Sequence, residues 1–165
     1  MKLLVFGNSG SGKSTLARAL GVRHGLEHLD LDSIVWEPGQ IAVQRAMNHI
    51  HDDLDAFIAR NATWVIEGCY AELIERALPA CSKLVFLNPG PEACRRNNER
   101  RGWEPHKYAS KEAQDGMLPF LQSWVADYYV RTDAWSYAAH RRVFDAYAGD
   151  KLEVIDSAGD IAAAL

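Results

Sequence analysis

The sequence predicts an α/β fold, a three-layer α/β/α sandwich around a five-stranded parallel sheet, and three observations predict it. Five short apolar runs alternate with stretches of helical periodicity, the pattern of strands joined by crossover helices. The first run opens into a glycine-rich turn that leads straight into a helical pattern. The chain has 165 residues, 48% of them hydrophobic and 24% charged, which suffices for one full core and not for two ordinary domains. A single domain over residues 1–165 is expected, with its ligand loops at the carboxyl ends of the strands.

Met1 to Phe6 is an apolar run ending at Gly7, which suits a buried parallel strand. Lys13 to about His24 reads as a helix through Leu16, Ala19, Leu20 and Arg23. The second strand is expected at His28 to Leu31. Met47, Ile50, Leu54, Phe57 and Ile58 then recur at three- and four-residue steps, an amphipathic crossover helix that Arg60-Asn61 stops. Thr63 to Glu67, Lys83 to Asn88 and Leu152 to Asp156 complete the strands. Trp124, Tyr128, Tyr129, Trp135 and Tyr137 lie in helical sequence, where most are expected in the core and the remainder are candidates to stack an acceptor base.

Composition narrows the function classes. No apolar run approaches the roughly 20 residues of a membrane span, and Leu3-Leu4-Val5-Phe6 passes at once into a Gly/Ser loop rather than a signal-peptide core. A cytoplasmic protein with no membrane partner is expected. Cys69, Cys81 and Cys94 have no C-x-x-C spacing, so they read as small buried thiols rather than a disulfide framework or zinc site. A net charge of -4 argues against a nucleic-acid partner gripped through a dominant basic face.

Gly7-Asn8-Ser9-Gly10-Ser11-Gly12-Lys13-Ser14 satisfies the phosphate-loop pattern G-x-x-x-x-G-K-S/T, and it stands between a strand and a helix, as the mechanism requires. Glycines let successive N–H groups turn inward around phosphate oxygens, and the helix start adds its positive dipole end. Lys13 is expected to reach the β- and γ-phosphates and Ser14 to ligate magnesium. Thr15 either touches the α-phosphate or packs in the first helical turn. ATP and Mg2+ are the cofactors this motif calls for.

His28-Leu29-Asp30-Leu31-Asp32-Ser33 places two carboxylates at alternate positions, so an extended segment points both to one face. Asp30 is then a candidate to organise magnesium and Asp32 to meet an acceptor. The competing reading is that Asp32 or Ser33 caps a helix while Asp30 is a solvated turn residue. Glu67, at the end of the third strand, is read two ways, as a carboxylate that steadies magnesium-bound water or as an ordinary strand-end charge. Gly68 beside it serves either close approach of a ligand or a turn.

With these segments in place, the chain resembles the adenylate-kinase-like P-loop kinases, and within them the small ATPases labelled topology-modulation or FlaR-like proteins. Leu31-Asp32-Ser33-Ile34-Val35-Trp36-Glu37-Pro38-Gly39 is similar to their LDxxxWxPG stretch, and Glu67-Gly68-Cys69-Tyr70 to their DGNY, with glutamate in place of the aspartate. The resemblance implies a nucleoside-monophosphate-kinase-like P-loop NTPase fold, with the acceptor bound near Asp32, Trp36, Gly68 and Tyr70. It also implies a lid insertion, placed at 102–116, and arginines that close on the transferring phosphate. Arg96 and Arg100, at i and i+4 among Arg95, Arg96, Arg100 and Arg101, are the catalytic candidates, and ion pairs with Glu92 or Glu99 are expected to occupy about half of the four. Ser157-Ala158-Gly159 is similar to the adenine-contacting loop, with a plain surface turn as the other reading.

The expected activity is transfer of the ATP γ-phosphoryl group to a small molecule, with Lys13 and Asp32 central. Shikimate kinase is a narrower version, opposed by Gly68-Cys69-Tyr70 where those enzymes carry a glycine triplet. The alternative from another class is a nucleotide-gated regulatory ATPase whose closed form meets a nucleic acid or protein.

Overall fold

The computed structural model describes residues 1–40, 43–105, 107–156, 161 and 165. Five parallel strands form one sheet in the order β2-β3-β1-β4-β5. They are β1 (Lys2–Gly7), β2 (Glu27–Asp30), β3 (Trp64–Gly68), β4 (Lys83–Leu87) and β5 (Lys151–Val154). The expected five-stranded parallel sheet is therefore the one observed, with boundaries shifted by one or two residues. Helices α1 (Lys13–His24), α2 (Asp32–Val35), α3 (Met47–Arg60), α4 (Ala71–Ala77), α5 (Pro91–Glu99), α6 (Lys111–Ala126) and α7 (Tyr137–Ala146) connect the strands.

The two-residue period of β1 sorts its side chains between two cores. Leu4 and Phe6 face a large cluster with Trp64, Ile66, Leu84 and Phe86 from neighbouring strands and Ile50, Leu54, Ile74 and Val143 from α3, α4 and α7. Leu3 and Val5 face a smaller cluster with Val65, Val85, and Leu16, Ala17 and Leu20 of α1. Because β1 is central and apolar on both faces, the loop that leaves its carboxyl end is held from both sides. The amphipathic reading of α3 holds, with Ile50, Leu54 and Phe57 buried.

The aromatic set divides more evenly than the expectation of a mostly core role. Tyr128 is buried, Trp124, Trp135 and Tyr137 are half-buried, and Tyr129 is 40% exposed, its hydroxyl donating to Asn88 Oδ1 at 2.5 Å. The three cysteines are free thiols, but only Cys94 is fully buried; Cys69 and Cys81 are half-buried. Among the described residues, no helix is long and apolar enough to cross a membrane.

One buried polar strut joins α7 to the end of β3. His140 is fully buried, with Nε2 2.8 Å from the Cys69 carbonyl oxygen and Nδ1 2.7 Å from the Tyr128 hydroxyl. A carbonyl only accepts, so Nε2 carries the proton and Nδ1 accepts from Tyr128. Phe6 and Phe86 present their rings edge-on to the imidazole. Burial lowers its pKa to about 4, against the Cys69 hydrogen bond, which works to raise it.

A folded pKa below the unfolded 6.5 means the unfolded chain binds the extra proton first, so stability is full above pH 6.5 and falls as pH drops toward 4. The His140 contribution to this loss is expected to reach about 3 kcal/mol near pH 4. Urea unfolding of wild type and His140→Gln between pH 7 and 4.5 checks it: the variant is less stable at pH 7 but loses less on acidification.

Candidate functional site

The phosphate loop takes its shape from two close backbone approaches. Gly7 (φ +151°) and Gly10 (φ +79°) leave so little room that an added Cβ would lie 2.2 Å from the carbonyl oxygens of Leu87 and Cys94, respectively. Only glycine lets the loop lie this close to β4 and α5. Side chains then fasten it. Asn8 Nδ2 donates to the Val125 carbonyl in α6 at 3.1 Å, its Oδ1 accepts from the Ser9 N–H at 2.9 Å, and Asn97 Nδ2 donates to the Gly10 carbonyl at 2.8 Å.

Helix α1 begins at Lys13 with no side-chain cap at Gly12, so its leading N–H groups are left for another partner. Ser11 Oγ is buried without a hydrogen-bond partner, and Lys13 Nζ donates to the loop's own Asn8 carbonyl at 2.8 Å. Uncapped amides, a helix start and an ammonium suit phosphate oxygens. Thr15 is exposed on the first turn of α1. Ser157 and Ala158 lie outside the described residues.

Beside the loop, the ends of β2 and β3 bring carboxylates together. Asp30 and Glu67 are register partners. The extended geometry expected for Asp30-Leu31-Asp32 is not what unites the two aspartates: Leu31 is helical, and Asp32 opens α2. They meet because Asp30 Oδ1 accepts the Asp32 N–H at 2.9 Å, with Ser33 Oγ donating to the Asp30 carbonyl at 2.6 Å. Asp30 thus ties the start of α2 while its other oxygen stays toward the site.

Asp32 is the hub. Its Oδ1 accepts from the Tyr70 hydroxyl at 2.5 Å and its Oδ2 from Lys107 Nζ at 2.7 Å. Lys107 also stands 3.8 Å from Asp30 Oδ2 and 3.5 Å from Glu104 Oε1. Burial works to raise the Asp32 pKa, but the Lys107 charge and the hydrogen bonds from Lys107 and Tyr70 prevail and hold it below the usual carboxylate range. For Asp30, burial and then the charges of Asp32 and Glu67 push the carboxyl up to about 6, with Lys107 pulling the other way. Lys107 is held above the ordinary lysine value, because the carboxylates outweigh its burial.

Glu67 is only 1% exposed, and Oε1 has no hydrogen-bond partner; His28 Nε2 lies 3.8 Å away, an ion-pair separation rather than a hydrogen bond. Burial alone would raise its pKa, yet the adjacent His28, the Lys13 charge and the Ser14 hydroxyl bring it below the usual range. A buried anion with an unused oxygen, a serine hydroxyl and a second carboxylate nearby match a hard cation that keeps several waters. Ser14, Glu67 and Asp30 fit magnesium on this ground.

Tyr70 carries the hub into the neighbouring cleft. Its ring lies edge-on to Trp36 (6.5 Å between centroids) and Trp135 (6.1 Å). A cleft of about 220 Å³ opens there, lined by Val35, Gln44, Met47, Ile50, Tyr70, Glu72, Leu73, Ala134 and Trp135. Gly68 is buried against Leu31, whose Cδ1 lies 2.8 Å from where a Cβ would stand, so this glycine serves packing at the end of β3.

The arginine candidates are placed elsewhere. Arg96 and Arg100 are exposed on or just after α5, and Arg96 faces Glu92 at 3.8 Å. Among the described residues, no hydrogen bond or ion pair links either one to the loop or to the acidic turn. Of the expected lid, 111–116 is the start of α6, and the irregular part before it supplies Lys107. Sequence reading did not find Lys107; a lysine in irregular chain carries no motif, and only the fold sets it on Asp32.

These elements define the class: an α/β P-loop fold with its phosphate loop at the centre of a parallel sheet. No protein-family model matches the chain, and no curated protein matches it. Solved structures do. The chain is similar to the YorR protein of Bacillus subtilis in complex with phosphorylated GDP (TM-score 0.57, 13% identity, covering 99% of this chain and 92% of that one). It is also similar to a gluconokinase from Sinorhizobium meliloti (0.51, 16%, 98% and 87%) and a sugar kinase from Janibacter sp. (0.51, 16%, 93% and 83%). At these identities the likeness is one of fold.

Gly10→Ala is expected to lower stability by about 2 kcal/mol or more, from the positive φ and the Cys94 carbonyl together, and to abolish nucleotide binding. Thermal unfolding with and without Mg-ATP checks both: the variant melts lower and gains nothing from the nucleotide.

Proposed function

We propose that the chain is an ATP- and magnesium-dependent kinase that transfers the γ-phosphoryl group to a small molecule bound between Asp32 and the Tyr70 cleft. The observation that carries this reading is the meeting, at the carboxyl ends of β1, β2 and β3, of the phosphate loop with the buried Glu67 and with Asp32, whose carboxylate accepts from Tyr70 and Lys107. The kinases among the structural neighbours support it as analogy.

In this reading the loop amides and Lys13 bind and orient the phosphates, and Lys13 leaves the Asn8 carbonyl to do so. Ser14, Glu67 and Asp30 would hold magnesium, which would supply neutralisation of phosphate charge. Asp32, kept ionised, orients the acceptor hydroxyl and takes up its proton as the hydroxyl oxygen bonds to phosphorus and ADP leaves. The half-buried cleft beside Tyr70, Trp36 and Trp135 excludes water from the acceptor body. The lid arginines Arg96 and Arg100 would have to move from their exposed positions to take part.

ADP release from Mg-ATP with a panel of nucleosides, nucleoside monophosphates, sugars and sugar acids tests the proposal. One acceptor is expected to raise release well above the unassisted rate. Lys13→Ala is expected to abolish release and Asp32→Asn to lower the acceptor-stimulated kcat by about 100-fold or more with ATP binding kept. ATP binding without stimulation by any acceptor and without an Asp32 effect would remove the kinase reading.

A further inference from the structure

Each oxygen of the carboxylate that should meet the acceptor already accepts one donor from the protein. Tyr70, the donor to Oδ1, is 6% exposed and wedged between Trp36 and Trp135, so it cannot withdraw without opening the core. Lys107, the donor to Oδ2, comes from an irregular surface segment. That segment is braced upon itself: Lys107 and Tyr108 N–H groups donate to the Glu104 carbonyl at 2.9 and 3.0 Å, and the Glu104 N–H donates to Gln114 Oε1 at 2.8 Å. Among the described residues, its one ion-pair link to the acidic turn is the Lys107 ammonium.

Resting on the reading of Asp32 as the acceptor's partner, we propose that Lys107 is an internal placeholder for the acceptor: it occupies the hydroxyl's position on Asp32 and straps the lid segment shut until an acceptor displaces it. An ammonium and a hydroxyl can each donate a hydrogen bond to the same oxygen, so one donor replaces another at that atom. The strap also answers a problem every kinase faces, because an ionised carboxylate beside a bound γ-phosphate orients water as readily as it orients an alcohol. With Lys107 seated, its ammonium fills one acceptor position of Asp32 Oδ2 and keeps water from that position. Removal of the lysine opens that site. Glu104 and Asp30 stand 3.5 and 3.8 Å from the seated ammonium, so Lys107 keeps anionic neighbours when the acceptor has taken its place on Asp32, with Glu104 shared with Arg101 at 3.3 Å.

Two measurements on the full chain test this, and neither needs the acceptor's identity. Lys107→Met is expected to raise acceptor-independent ATP hydrolysis by about tenfold or more, a part of the roughly 100- to 10,000-fold that a fully positioned base contributes; Lys107→Arg keeps the low rate, and adding Asp32→Asn to Lys107→Met restores it. Amide exchange without nucleotide is expected to speed up about tenfold at Lys107, Tyr108 and Glu104 in both Lys107→Met and Asp32→Asn, with the core of the sheet unchanged. Unchanged exchange in both variants overturns the strap, whatever the enzyme's reaction. Faster exchange with unchanged or lower hydrolysis overturns the placeholder role and leaves a structural ion pair. Failure of the kinase reading is separate, since it appears as ATP binding that no acceptor converts into stimulated ADP release and that Asp32→Asn leaves unaffected.

Discussion

The contact on which the site depends is the approach of backbone to backbone at the phosphate loop. Gly7 against the Leu87 carbonyl and Gly10 against that of Cys94 leave no space for a side chain. The loop is therefore clamped between β4 and α5 before any ligand is considered. Asn8 and Asn97 extend the clamp to α6 and α5, and the electrostatic work of the loop follows from its rigidity: amide dipoles stabilise an anion most when they need not reorganise to meet it.

From that fixed point the parallel sheet places the remaining chemistry. β3 lies beside β1 and β2 beside β3, so Glu67 and Asp30 reach the same edge as Lys13 without any loop having to carry them. Two lysines and four carboxylates, Asp30, Asp32, Glu67 and Glu104, then gather at the carboxyl end of the sheet. Burial separates their behaviour. Asp32, with two donors, and Glu67, with His28, Lys13 and Ser14 around it, stay ionised, whereas Asp30 between them is raised to about 6. Adjacent carboxylates of one chemical type are thus fitted for different tasks by their neighbours.

The parts of this arrangement legible in the sequence are those encoded locally. Lys2–Gly7, the loop and α1 form one contiguous strand–turn–helix, and the periodicities of β1 and α3 identify their buried faces. Asp30 and Asp32 were legible as a pair but not in their geometry, because the helical conformation of Leu31 depends on the packing of α2 rather than on alternation. Glu67 was visible as a strand-end acid, and its burial beside Asp30 is a consequence of strand order that spacing does not disclose. Lys107 and His140 were not legible: the first lies 75 residues from Asp32 and the second 71 residues from Cys69 in a chain whose crossings, not its motifs, join them.

Asp32 shows how a single carboxylate combines precision with exchange. A donor fixed in the core, Tyr70, sets the orientation of the carboxylate plane, because moving its ring would disturb the contacts with Trp36 and Trp135. A donor on irregular chain, Lys107, satisfies the other oxygen and meets less resistance to leaving. Were both donors buried, the carboxylate would be stable and inaccessible; were both mobile, it would be accessible and poorly aimed. The asymmetry between them gives Asp32 a defined direction and one exchangeable position, which is the arrangement that orienting an incoming hydroxyl against a clamped phosphate requires.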